Sequence, residues 1–252
     1  MFLHQLNPSI KAITIALFVM LLAFIFDPIT PFVFLIGTIT ITFVFGKVKW
    51  KSYVLYFIPF SILSFGMLWT TIAFATLPNN PNDVITLLGM TFPRESFLTA
   101  LALSLRILSV AALSLLFIFT TNVVDFFLSL IQQLKLPPKI AYGVLAGYRF
   151  LPMMKDELVI INQAHRIRGI NKAHTIMGKW HQYRRFAIPL IASAIRKAER
   201  TAIAMESKGF TGDKDRTFYH HFTISKKDWL FPLIMLVIFS LAVLISLKLG
   251  YF

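Results

Sequence analysis

The hydrophobic positions of this chain form five long apolar stretches, separated by short polar turns and by one long polar block. Each stretch is close to the roughly 17–25 residues that an α-helix needs to cross a bilayer. We therefore predict about five transmembrane helices, at Ile10–Phe26, Ile29–Phe45, Tyr53–Leu77, Phe97–Thr120 and Trp229–Leu247. The fold class that follows is an all-α polytopic membrane protein.

The polar block divides the chain into three parts: residues 1–120 with four spans, residues 121–228 outside the membrane, and residues 229–252 with the last span. Residues 122–134 place their apolar side chains on one helical face. They predict an amphipathic helix that either lies on the membrane surface or packs against other helices.

Proline residues suggest where the next helices of the block begin. A helix starts after Pro137-Pro138, and its apolar part contains Ala141, Gly143 and Gly147, small residues that allow another helix to approach closely. Two further helices are predicted, near Met153–Arg168 and Ile188–Lys208, joined by a basic connector. We expect these two helices to cross each other.

The distribution of charge orients the chain. Residues 121–228 hold 18 of the 25 Lys and Arg residues but 8 of the 11 acidic residues, so about +10 of the net charge of +14 lies there. The loop with Lys47, Lys49 and Lys51 is also basic, whereas the turn at Asp27-Pro28 has no cation. Positive loops stay in the cytoplasm. We therefore place the N-terminus and the block in the cytoplasm of a cell with this protein in its plasma membrane, with lipid headgroups or acidic protein surfaces, and no nucleic acid, as partners.

A short segment of the polar block occurs twice, at Ala164–Ile170 and at Ala204–Phe210. Both copies read Ala, three variable residues, a cation, Gly and an apolar residue, and the cations are Arg168 and Lys208. A cation in a last helical turn followed by Gly is an ordinary helix end. Because the cation and the Gly occupy the same positions in both copies, we interpret the two helix ends as matched contact points at the tips of the crossed helices.

The sequence offers little chemistry for catalysis. It has no phosphate-binding G-x-x-x-x-G-K-[ST] loop and no hydrolase, kinase or zinc-protease motif, and its lack of cysteine excludes disulfides and thiolate metal sites. Asp156-Glu157 is either an acid/base pair or, more simply, lies in the first turn after Pro152, where the helix dipole favours anions. We expect no cofactor, no metal site and no enzyme activity.

Arg106 is the one ionised residue well inside a predicted span, since Lys11 is the second residue of the first span. Such residues are costly in a membrane and usually face the helical bundle, so both a packing role and a partner-contact role are open. No acid lies in the other spans, and its partner is therefore expected to be a backbone carbonyl, water or another subunit.

Several segments together resemble the transmembrane T component of energy-coupling factor (ECF) transporters, the CbiQ/EcfT family, along nearly the full chain. The matching segments are His4–Lys11, Leu136-Pro137-Pro138, Arg149–Pro152, Gln163–Gly169, Ala198–Arg200 and Ala204–Phe210. The resemblance implies a non-catalytic subunit that works with two ATP-binding ABC subunits and a small membrane S subunit. The S subunit binds a vitamin, a vitamin precursor or a transition-metal ion for uptake.

The resemblance also assigns roles to residues. In the family, each of two coupling helices ends in Ala-Arg-Gly or Ala-Arg-Ser, and the Arg docks on an ATPase. The residues so implicated here are Ala164, Ile167, Arg168, Gly169, Ala204, Ser207, Lys208 and Gly209. Ile167 and Ser207 replace the family's Ala, and Lys208 replaces its second Arg. Contacts with the S subunit are expected at Ala141, Gly143 and Gly147.

Two other functions are compatible with the residues alone. One is an intramembrane enzyme acting on lipid or isoprenoid through Arg106, Asp156 and Glu157. The other is a basic scaffold that recruits soluble proteins to anionic membrane.

Overall fold

The computed structural model describes residues 2–75, 84–87, 90–169, 176–213, 217–219 and 221–249. Leu77, the predicted end of the third span, and Ile170, the last residue of the first repeat copy, lie outside these ranges. The statements below concern the described residues.

Helices make up most of the described chain, as the sequence predicts. In order they are α1 (Phe2–Gln5), α2 (Pro8–Ala23), α3 (Ile29–Gly46), α4 (Trp50–Ala73), α5 (Arg94–Thr120), α6 (Val123–Gln133), α7 (Pro138–Ile167), α8 (Ile176–Ser207) and α9 (Leu230–Lys248). A 3₁₀ turn at Lys226–Trp229 leads into α9. A short antiparallel hairpin, β1 (Val84–Leu87) and β2 (Met90–Pro93), precedes α5 and was not predicted.

Four of the five predicted spans are confirmed as long apolar helices. Among the described residues, α3, α4, α5 and the segment Lys226–Lys248 are long and apolar enough to cross a membrane. The first span, predicted at Ile10–Phe26, was displaced, because α2 begins at Pro8, ends at Ala23 and has 16 residues. At 1.5 Å per residue α2 extends ~24 Å, less than the ~30 Å of a bilayer core. The protein is an all-α polytopic membrane protein.

The boundaries predicted at two proline residues were wrong. Pro152 lies inside α7 and Pro189 lies inside α8, so each predicted pair of segments is one continuous helix. The basic connector is likewise partly helical, since α8 begins at Ile176. An interior proline removes one backbone hydrogen bond and costs about 3 kcal/mol in a helix. Strong helix formers on both sides of Pro152, such as Ala146, Leu151 and Leu158, favour continuation.

The chain divides into two compact units. The first comprises Met1–Ser129 with His221–Phe252 and contains all the confirmed spans; the second is Leu130–His220 and contains α7 and α8. The first unit has a core built from α1, α2, α3, α5 and α9. Its buried apolar residues are Leu3, Leu6, Ile15, Phe18, Leu22, Phe34, Ile41, Leu113, Leu116, Phe231 and Met235.

Three phenylalanine rings join the helices of this core. The ring centroid of Phe18 lies 5.6 Å from that of Phe34 and 5.5 Å from that of Phe239, and Phe34 meets Phe239 edge-on at 5.7 Å. Aromatic pairs at such distances add to the free energy of apolar burial. The three rings therefore fix α2, α3 and α9 against one another.

A buried ammonium group organises the start of the first unit. The side chain of Lys11 is 1% exposed. Its Nζ donates hydrogen bonds to the carbonyl oxygen of Leu3 at 2.7 Å, to the carbonyl oxygen of Thr120 at 3.1 Å, and to the hydroxyls of Thr120 and Thr121 at 3.1 and 3.3 Å. Thr120 ends α5, where unpaired carbonyls carry partial negative charge. Lys11 thus joins α1, α2 and the end of α5.

A second buried charge ties the N-terminus to the last span. The carboxylate of Asp228 accepts hydrogen bonds from the backbone N–H of Asn7 at 2.8 Å and of Ser225 at 2.7 Å. The Ser9 hydroxyl donates to the hydroxyl of Ser129 in α6 at 2.8 Å. The N-terminal segment is consequently bonded to α6 and to the turn that begins α9.

Replacing Lys11 tests how far the first unit depends on this ammonium. We expect Lys11→Met to lower the free energy of unfolding by about 2 kcal/mol, because the carbonyls of Leu3 and Thr120 lose a charged donor while still buried. The measurement is thermal unfolding of the purified protein in detergent. Lys51→Met, at an exposed position in the first turn of α4, is the control. Equal stability of the two variants would contradict the assigned role.

Candidate functional site

The two helices that carry the repeated segment, α7 and α8, pack antiparallel. Near the N-terminal end of α7, the Tyr142 ring meets the Phe210 ring edge-on, with centroids 5.4 Å apart. Midway, Glu157 pairs with Lys197. Near the C-terminal end of α7, the His165 ring meets the Phe186 ring at 5.1 Å. Residues later in α7 contact residues earlier in α8. The two helices are therefore antiparallel, and their C-terminal ends point in opposite directions.

The first cationic end, which we call the first tip, consists of Arg168 and Gly169. The N–H of Arg168 donates to the carbonyl of Ala164 at 3.2 Å, and the N–H of Gly169 donates to the carbonyl of Arg166 at 3.0 Å. Gly169 has a φ of 75°, in the left-handed region that favours glycine. Ile167 is 88% exposed. The tip therefore presents an arginine and a bare apolar side chain on a tightly closed helix end.

The second tip consists of Lys208 and Gly209 and closes in the same way. Gly209 has a φ of 83°, and its N–H donates to the carbonyl of Glu206 at 2.9 Å. The N–H of Phe210 donates to the carbonyl of Met205 at 2.9 Å, which completes a Schellman motif. Both repeat copies are thus helix C-caps with the cation at the same position, and the cations of both tips are exposed.

The carboxylate of Glu157 holds the middle of the helix pair. Its Oε2 lies 2.5 Å from Nζ of Lys197, and its Oε1 accepts a hydrogen bond from the Ser193 hydroxyl at 3.0 Å. The hydrogen bond from Lys197, then that from Ser193, lowers the pKa of Glu157 below its ordinary value. Placing Glu157 in a first turn after Pro152 was therefore wrong, since α7 is unbroken and the carboxylate is held by α8. Asp156 is exposed.

A cleft separates the N-terminal half of α7 from the C-terminal half of α8. Its volume is about 530 Å³, and small residues of both helices line it. These are Gly143, Ala146 and Gly147 from α7 and Ala198, Thr201 and Ala202 from α8. A Cβ atom added at Gly143 or Gly147 would meet nothing within 4 Å. The two glycines are therefore not required by the packing of this chain itself, whereas Ala141 is fully buried.

Arg106 lies in α5, in the first unit, and its surroundings agree with the expected backbone partner. A guanidinium N–H donates to the carbonyl of Ile25, and the guanidinium lies over the Phe26 ring, 5.2 Å from its centroid. No group of three or more His, Asp or Glu side chains that could hold a metal ion occurs among the described residues. Arg106 and Glu157 are each engaged by this chain's own groups.

Sequence reasoning did not find the partners of Glu157. Ser193 and Lys197 lie in the helix predicted near Ile188–Lys208, but the sequence assigned no role to either. A signal was present, because the interval from Glu157 to Lys197 is the same as the interval between the two repeat copies. The roles of Lys11 and Asp228 were missed too, since buried polar contacts between distant segments leave no periodic pattern.

A comparison with known protein families shows to which family this chain belongs. A family model described as "CbiQ: Cobalt transport protein" matches residues 1–220. The chain belongs to the CbiQ family. Membership agrees with the long apolar helices, and the matched residues include both tips, the second unit and the first unit as far as Ser129.

Curated relatives of this CbiQ-family protein carry the name energy-coupling factor transporter transmembrane protein EcfT. The relative from Acidaminococcus fermentans is 28% identical over 253 residues, covering 95% of this chain and 90% of its own length. That from Bacillus subtilis is 28% identical over 240 residues, 89% of this chain and 86% of its own. That from Staphylococcus aureus is 24% identical over 235 residues, 90% and 86% respectively. The CbiQ-family chain is thus a transmembrane component of an ECF transporter.

Replacement by alanine should have opposite effects on stability at two glycines of this CbiQ-family protein. Gly209→Ala forces a side chain into left-handed backbone, at a cost of about 1–2 kcal/mol. Gly143→Ala, inside α7 with open space around its Cβ, should instead stabilise by about 0.5–1 kcal/mol. Amide hydrogen exchange checks the first: Phe210 should exchange about tenfold faster in Gly209→Ala. Unchanged exchange there would contradict the cap.

Proposed function

We propose that this chain is the energy-coupling subunit of an ECF-type importer. It passes the movement of two ATP-binding ABC subunits to a small membrane S subunit that carries the nutrient. The observation that supports this most directly is the pair of cationic C-caps with the same geometry, one at the end of each of two antiparallel helices. Two matched contact points suit two ATPase subunits of similar shape.

Each tip supplies a charge that an acidic groove on an ATPase can bind. The residues of this contact are Ala164, Ile167, Arg168 and Gly169 at the first tip, and Ala204, Ser207, Lys208 and Gly209 at the second. Arg168 offers a planar fork for two parallel hydrogen bonds to a carboxylate, and Lys208 offers a compact point charge. ATP hydrolysis takes place in the partners, and this chain is not an enzyme.

The S subunit docks against the cleft of the helix pair, with Gly143 and Gly147 as its contacts. Support comes from the open space at both glycines, which lets a helix of the partner approach the α7 backbone closely. Ala141 is buried, so the two glycines carry this part of the proposal. The nutrient is a vitamin, a vitamin precursor or a transition-metal ion, and the family description names cobalt.

The same proposal orients the chain in a prokaryotic plasma membrane. The N-terminus, the loop with Lys47, Lys49 and Lys51, and residues 121–228 lie in the cytoplasm, where ATP and the ATPases are found. The excess of cations in these segments supports this orientation.

Charge reversal at the tips tests ATPase binding. Arg168→Glu and Lys208→Glu should each weaken binding by at least about tenfold, because a carboxylate on the partner then faces a like charge, and a lost interfacial charge pair costs about 2–5 kcal/mol. The double variant should bind no ATPase. The measurement is co-purification of the chain with ATPase and S-subunit genes of the same genome.

Two controls sharpen this test. Arg200→Glu changes an exposed cation of α8 that is not at a tip and should leave binding intact. Lys208→Arg keeps the charge and should also bind. Undiminished co-purification of both ATPases with the double variant would refute the proposed coupling.

Filling the cleft tests S-subunit docking separately. Gly143→Leu with Gly147→Leu should lower the amount of bound S subunit at least about tenfold while the ATPases still co-purify. The chain should fold normally, because both added Cβ atoms are free of contacts within 4 Å and the cleft of about 530 Å³ has room for the rest of the two side chains. Gly66→Leu, at a glycine of α4 with equally open surroundings, is the matched control. Full retention of the S subunit would show that it binds elsewhere.

A further inference from the structure

Among the described residues, Glu157 and Lys197 form the one ion pair, in a chain with 25 cations and 11 acidic residues. Their side chains are 24% and 29% exposed. Ser193, one turn before Lys197, holds the second carboxylate oxygen. Two successive turns of α8 thus bind one carboxylate of α7, about midway along both helices.

Glu157 and Lys197 occupy equivalent positions relative to the two copies of the repeated segment. The interval between the two copies of the repeated segment equals the interval between Glu157 and Lys197. Each of these two residues therefore lies equally far before the cation of its own tip, about three helical turns or roughly 16 Å along a helix. Equivalent positions of two antiparallel segments meet only at a twofold axis between them. The ion pair therefore marks a pseudo-twofold axis with arms of equal length to Arg168 and Lys208.

The two arms are filled differently. On one side of the ion pair, the His165 ring packs on the Phe186 ring. The spacing between the two repeat copies also relates other positions of the two helices. By this spacing, His165 of α7 corresponds to Met205 of α8, and Phe186 of α8 corresponds to Ala146 of α7. Met205 and Ala146 both line the open cleft. A small side chain thus stands in the open arm where the closed arm has an aromatic ring. The two cations lie equally far along the chain from the ion pair, whereas the space on its two sides differs.

Resting on the proposed function, we propose that Glu157 and Lys197, with Ser193, are positioning residues that form the fulcrum on which α7 and α8 turn when the tips are displaced. A lysine on a flexible four-carbon stem holds one point of contact while the crossing angle changes. On one side of the ion pair, the His165 and Phe186 rings are in contact and resist compression. On the other side, the ring contact of Tyr142 with Phe210 lies at the far end of the cleft, and the cleft separates it from the ion pair. Displacement of the tips therefore changes the width of the cleft.

The test follows the cleft width in the complete complex, purified with the ATPases and S subunit that accompany the wild-type chain. Val144→Cys in α7 and Ile203→Cys in α8, exposed residues that do not line the cleft, carry the two spin labels. This chain has no cysteine of its own, and any cysteines of the partner subunits are replaced first. Pulsed electron spin resonance measures the distance between the labels with and without a non-hydrolysable ATP analogue. In the parent background we expect the analogue to shift this distance.

Charge variants then decide the role of the ion pair. Glu157→Lys and Lys197→Glu should each reduce the analogue-induced shift at least about threefold, and Glu157→Gln should reduce it less because its amide still accepts from Ser193. The exchange Glu157→Lys with Lys197→Glu should restore it. Asp156→Lys and Arg200→Glu, neighbouring exposed charges, should leave it unchanged.

Two outcomes would overturn the fulcrum. One is a full shift in both single variants. The other is a charge exchange that recovers no more than the single variants do, although the ATPases remain bound. Failure of the wild-type chain to co-purify with any ATPase would instead refute the proposed function, so the two results are distinguishable.

Discussion

The first unit depends on the need to pair each charge that it buries with polar groups of neighbouring helix ends. Lys11 meets this need for three elements at once, since its ammonium binds carbonyls of α1 and of the last residue of α5 from within α2. Asp228 does the same for the N-terminal segment and the start of α9. Charges that would be costly alone are matched to unpaired backbone groups at helix ends. The apolar core around Phe18 and Phe34 packs within a framework already set by these bonds.

The second unit follows a different design. Its two long helices are held at separated points: an edge-on ring pair at each end and the carboxylate of Glu157 in the middle. A partly exposed ion pair such as this one contributes little to stability, because water screens the attraction between its charges. The pair instead determines the register of the two helices, because Glu157 and Lys197 fix which turns of α7 and α8 are in contact. Between these points the helices leave a cleft of about 530 Å³, and a pair of helices so connected has room to change its crossing angle.

Periodic features were predictable and isolated contacts were not. Long apolar runs located α3, α4, α5 and α9, and the cation-Gly pattern located both C-caps, because each depends on neighbours in sequence. Pro152 and Pro189 misled the helix boundaries, since the cost of one proline is smaller than the combined preference of the surrounding helix formers. Contacts such as Lys11 with Thr120 join residues far apart in the chain, and their existence depends on the whole fold.

The two tips share one backbone geometry, so any difference between them must come from side chains. Arg168 follows the bare, apolar Ile167, whereas Lys208 follows Ser207, whose hydroxyl is turned back to the carbonyl of Ala204. A planar guanidinium beside an apolar side chain suits a carboxylate at the edge of an apolar groove, where two parallel hydrogen bonds form in a dry site. An ammonium is a compact point charge that accepts many arrangements of oxygen atoms. Under the proposed function, the first tip would be the more selective contact and the second the more tolerant one, as expected for two ATPase surfaces that are similar in shape but different in sequence.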